Sequence, residues 1–86
     1  MKTMTKISTS QDIERESKRV IQALYGDVSD FKISETFPLP EKGLRTGWDV
    51  QVRFLQNNLK YTVDLEFKEK TGQVTNARLL DTMKPL

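Results

Sequence analysis

Two runs of alternating residues joined by a pair of asparagines constrain this chain more than anything else in it. Trp48, Val50, Val52 and Phe54 alternate with Asp49, Gln51 and Arg53, and Leu59, Tyr61, Val63, Leu65 and Phe67 alternate with Lys60, Thr62, Asp64 and Glu66. A period of two puts each apolar set on one face of an extended strand. Asn57-Asn58 suits a two-residue type I′ turn, because asparagine tolerates positive φ. That turn sets Phe54 opposite Tyr61, Val52 opposite Val63, Val50 opposite Leu65 and Trp48 opposite Phe67, so every inward pair is apolar. A slip of one residue would turn one strand's apolar set to water, which ties down the register.

A sheet with one apolar face needs a cover, and the residues before it are patterned to provide one. Thr9 and Asp12 have the spacing of a helix N-terminal cap, and Asp12 and Glu14 place negative charge in the first turn. Ile13, Val20, Ile21 and Leu24, with small Ser17, fall on one stripe at a period of 3.6. Gly26 ends the pattern, so a helix is predicted over about residues 10–25. Phe31 to Phe37 alternates as a first strand, stopped by Pro38 and Pro40. Gly43 and Gly47 then keep 38–47 as a loop of about ten residues, longer than usual for such a connection. After the hairpin, Lys70-Thr71-Gly72 reads as a three-residue turn with Gly72 left-handed. This turn pairs Phe67 with Thr75, Leu65 with Ala77 and Val63 with Leu79, and sets Asp64 opposite Arg78. A two-residue turn would bring Asn76 against Phe67 and is rejected.

The predicted fold is therefore α+β, an N-terminal amphipathic helix packed on one face of a four-stranded antiparallel meander sheet. At 86 residues the chain holds one domain. Residues 10–80 are assigned to it, with 1–9 a flexible N-terminus and 81–86 a frayed tail. The predicted core is Ile13, Val20, Ile21, Leu24, Val50, Val52, Phe54, Tyr61, Val63, Leu65 and Phe67.

Composition narrows the function classes. The chain has no cysteine and no histidine, which removes disulfides, zinc–thiolate sites and the commonest general base and metal ligand. Chemistry would have to rest on Asp49, Asp64, Glu66, Tyr61 or a lysine, and nothing groups these with a nucleophile. No enzymatic activity, cofactor or metal is expected. The apolar runs are too short to span a membrane. Met1 to Ser10 has two lysines but no apolar stretch, so no secretory signal is expected and the cytoplasm is the expected compartment. A net charge of +2 is a mild basic excess. It favours a weak nucleic-acid-binding domain only as the alternative reading. The aromatic residues of the hairpin read as core beneath the helix rather than as a platform for bases.

On the other face of the sheet, Asp49 falls opposite Glu66, with Asp64 two residues along. Such opposition invites a cation or raises a carboxyl pKa, but Arg53, Lys68 and Arg78 are near enough to neutralise the trio. The reading is a solvated charged face. The candidate working surface is instead an exposed sheet edge together with the 38–47 loop, carrying Leu39, Leu44, Leu55, Val74 and Leu80. A protein partner or a second copy of the chain is the expected occupant.

The series Gly47-Trp48, Val50, Val52, then Tyr61, Val63, Leu65, then Gly72 and Val74 resembles two family patterns. One is the gas vesicle protein O family of accessory proteins, in which a Gly-Trp-led strand precedes a Tyr-x-Val strand and a glycine turn. The other is the PepSY-type domain, in which a helix is followed by Tyr-x-Val strands, an acidic glycine turn and a valine. The likeness follows the order of elements over about residues 10–80. The Arg- and Pro-bearing insertion and the basic ending of the gas vesicle family are lacking. The resemblance implies a helix-on-sheet fold and a non-enzymatic accessory role, and lends no catalytic residue.

Overall fold

The computed structural model describes residues 6–40 and 42–84. Its elements are α1 (Ser10–Tyr25), β1 (Ser29–Leu39), β2 (Gly47–Gln56), β3 (Leu59–Lys68) and β4 (Val74–Met83). The strands form one antiparallel sheet in the order β1-β2-β3-β4, and α1 packs on one face of this meander, as predicted.

The helix starts where its cap residues place it. Thr9 Oγ1 accepts the Asp12 N–H at 3.1 Å, and the Asp12 carboxylate accepts the Thr9 N–H at 3.2 Å. This reciprocal cap satisfies two donors that the first turn would otherwise leave unpaired. Gly26, at φ 84°, closes the helix and donates to the Gln22 carbonyl at 2.9 Å. Ile13, Ser17, Val20 and Ile21 are buried, but Leu24 is 57% exposed and does not join the core. Tyr25 does so in its place, its ring 5.2 Å from Phe54 and 5.6 Å from Tyr61. Leu24 sits instead over the margin of the sheet, beside a groove of about 340 Å³ that it lines with Ala23, Val74, Thr75, Asn76 and Ala77. The short side chains of β4 leave that groove unfilled.

The central hairpin has the predicted register at every pair from Gly47–Lys68 to Gln56–Leu59. Asn57 and Asn58 turn it with φ of 54° and 62°. Val50, Val52, Phe54, Val63, Leu65 and Phe67 are closed to solvent, and Phe54 stacks on Tyr61 at 5.1 Å. Tyr61 itself is only half-buried, packed against the core from its edge. In the second hairpin Gly72 is left-handed at φ 70°, and Leu65–Ala77, Val63–Leu79 and Asp64–Arg78 pair as expected. Phe67 opposes Val74, not Thr75. A bulge between the Glu66 and Phe67 pairs shifts the strand by one residue and brings Val74 against the core.

Four boundaries differ from those read in the sequence, the first being the start of β1, at Ser29 rather than Phe31. β1 runs through Pro38, which opposes Trp48, so the connection to β2 is residues 40–46. An edge strand tolerates proline because its outward N–H has no ladder bond to lose. β4 runs past the residue where fraying was expected, with Asp81, Thr82 and Met83 paired to Thr62, Tyr61 and Lys60. Residues 85–86 of that tail lie outside the described residues, as do 1–5 of the N-terminal segment. Ile7, just after them, is fully buried. Its N–H donates to the Glu69 carbonyl at 2.8 Å, and its carbonyl accepts Trp48 Nε1–H at 3.0 Å. The core therefore includes a residue before the helix.

Candidate functional site

The face away from α1 gathers three carboxylates. β2 places Asp49 directly opposite Glu66 of β3, and Asp64 stands one same-face position along. Carboxylate oxygens of the three lie within 4.8 Å of one another, the one such acidic group among the described residues. Asp64 is 4% exposed, and its nearest cation, Arg78 of β4, approaches only to 4.0 Å from a largely exposed side chain. Arg53 and Lys68, the other expected counter-charges, form no ion pair among the described residues. Burial, then the neighbouring Asp49, pushes the Asp64 carboxyl up to about 7, with Glu66 adding to the rise and Arg78 opposing it. Asp49 Oδ1 is enclosed and accepts no hydrogen bond from the protein. Chemically the trio is a place where a proton is retained near neutrality, and the sequence has no histidine or cysteine to accompany it.

The five apolar residues singled out in the sequence do not form one patch. Leu39 ends β1 and Leu44 lies in the 40–46 connection, the first half-buried and the second 88% exposed. Leu55 is half-buried near the far end of β2, opposite Ser29 and Lys60. Val74 packs partly against the core, and Leu80 is exposed in β4. The 40–46 connection is latched at its second arm. Thr46 N–H donates to the Leu39 carbonyl at 2.7 Å, and Glu69 N–H to the Thr46 carbonyl at 2.9 Å. Arg45 lies 4.3 Å over the Trp48 ring and holds both Glu69 carboxylate oxygens, which keeps the Glu69 carboxyl below its usual range.

What the structure does bring together is β4 and the groove beside it. Six large apolar side chains are exposed among the described residues: Leu24, Phe37, Leu44, Leu79, Leu80 and Met83. Three of these lie in β4, and Leu24 faces the groove that β4 borders. Sequence reasoning missed Leu24, Phe37 and Leu79 as surface residues and placed Met83 in a tail expected to fray. Leu24 carries a core signal in the helical stripe, and Leu79 carries one in its pairing with Val63. The aromatic stripe offers no platform for bases, because Phe54 and Phe67 are closed to solvent under α1. No helix among the described residues is long and apolar enough to cross a membrane.

No protein-family model, curated protein or solved structure matches the chain. The likeness to the gas vesicle protein O family and to PepSY-type domains thus rests on the sequence motifs alone.

Proposed function

We propose that this chain is a small non-enzymatic protein-interaction module of the accessory kind, working through β4 and the groove between β4 and α1. The observation that carries the reading is the concentration of exposed Leu79, Leu80 and Met83 on one edge strand, with exposed Leu24 facing the adjoining groove. An edge strand offers a row of unpaired N–H and C=O groups to a partner strand, and flanking apolar side chains give such pairing its specificity. The 40–46 connection belongs to the β1 side of the sheet and is latched to Glu69, so it falls outside this surface. The non-enzymatic part rests on residue types: the sequence offers the acidic trio no histidine or cysteine to work with. The motifs shared with gas vesicle accessory proteins and PepSY-type domains agree with an accessory role, and the cysteine-free sequence is compatible with the cytoplasm, the compartment this reading assigns.

A photo-crosslinking residue placed at Asn76 or Met83, both exposed in β4, tests the reading in the native host, with Lys18 on the polar face of α1 as control. Defined protein adducts from the β4 positions and none from Lys18 are expected. Adducts of equal yield from all three, or none from β4, would refute it.

A further inference from the structure

The two edges of the sheet are not equivalent. β1 carries Lys32 and Pro38, which blunt an edge against pairing, whereas register shifts, two in each edge strand's ladder, do not tell the edges apart. β4 contains neither lysine nor proline from Val74 to Met83, and its charged residues, Arg78 and Asp81, cancel. In an unbulged strand these two, three positions apart, would point to opposite faces. The register shift between the Thr62 and Val63 pairs makes Leu80 an extra residue, so Arg78 opposes Asp64 and Asp81 opposes Thr62. Both therefore stand on the face away from α1. By the same shift Asn76 and Met83, opposite Glu66 and Lys60, share that outer face, while Ala77 and Thr82, opposite Leu65 and Tyr61, share the helix face.

The bulge thus makes the strand complementary to itself. Laid antiparallel against a second copy, about a two-fold axis between Leu79 and Leu80, it matches face for face. Arg78 meets Asp81, Ala77 meets Thr82 and Asn76 meets Met83. The exposed Leu79 and Leu80 of both copies gather at the axis. Each copy contributes one cation and one anion, so two opposite-charge pairs cross the seam, as a two-fold contact requires.

We propose that the partner taken by β4 is a second copy of this chain, joined antiparallel through Arg78–Asp81 pairs into one continuous sheet. Both helices then lie on the same face, and the two Leu24-lined grooves flank the seam. The proposal rests on the interaction-module reading above and names its partner.

Sedimentation equilibrium of the full chain from micromolar to millimolar concentration tests it, with circular dichroism of dilute samples confirming that each variant is folded. The wild type is expected to associate. Asp81→Arg and Arg78→Asp each oppose like charges at both pairs and are expected to raise the dissociation constant by about tenfold or more. The double variant restores opposite charges and should recover most of the association. Should either single variant fail to fold, Asp81→Asn, at an exposed site, still removes the attraction and should weaken association. Association indifferent to the single exchanges, or not recovered in the double variant, overturns the β4 arrangement. A wild-type chain that stays monomeric at millimolar concentration overturns the second copy as partner. If crosslinks from β4 to other proteins persist in that case, the module reading stands with a different partner; if they are absent too, both fall.

Discussion

Asp64 is the residue whose surroundings depart furthest from those of an ordinary surface carboxylate. Its raised pKa, about 7 against 3.8, means that the folded chain holds a proton that the unfolded chain has already released. The stabilising contribution is complete below the unfolded value, near pH 4, and is lost as pH rises through about 7. We expect the wild type to lose on the order of 1–4 kcal/mol between pH 5 and 8 from this group. Asp64→Asn keeps the shape, removes the titrating carboxyl beside Asp49, and should flatten that dependence while raising stability at pH 8. Urea midpoints of both proteins at the two pH values check this, and a variant less stable than wild type at pH 8 would show that Asp64 is worth more charged than protonated. The trio was legible in the sequence because the hairpin register dictates it. The burial of Asp64 was not, because alternation says which face a side chain takes and nothing of how closely its neighbours crowd it.

At the scale of elements, what the sequence specified best is what depends on neighbouring residues in the chain. The Thr9–Asp12 cap, the Asn57-Asn58 turn and the β2–β3 register all follow from short-range spacing, and all stand in the structure. The lengths of β1 and β4 were not legible, because an edge strand escapes the rules that proline and lost alternation impose on a central one. Gly47 shows the same limit. In the sequence it reads as a loop glycine, yet it begins β2, and a Cβ there would lie 2.2 Å from the Phe67 carbonyl oxygen. Backbone cannot swing aside as a side chain does, so β2 and β3 would have to part at that end. Gly47→Ala is expected to destabilise the chain by at least about 2 kcal/mol. A denaturant midpoint equal to wild type would mean that the strands are not so closely set there.

The whole molecule is a sheet wider than its cover. One helix closes Val50, Val52, Phe54, Val63, Leu65 and Phe67 from water, and the β4 margin is left with Leu24, Leu79, Leu80 and Met83 in solvent. A chain of 86 residues has little stability to spare for uncovered apolar surface. Leu80 was read as surface from the sequence, but Leu24 and Leu79 were not, because pattern reading assigns each apolar residue of a stripe to the core without asking whether the helix is broad enough to reach it. The account turns on β4 being an edge that a second copy closes, and residue-resolved amide exchange measured across a concentration series tests this most directly. The prediction is slow exchange in β2 and β3 throughout, with the outward amides of β4 fast in dilute solution and progressively slower as concentration rises, while those of β1 stay fast. Exchange in β4 that does not change with concentration, or protection that develops at β1 instead, would contradict it.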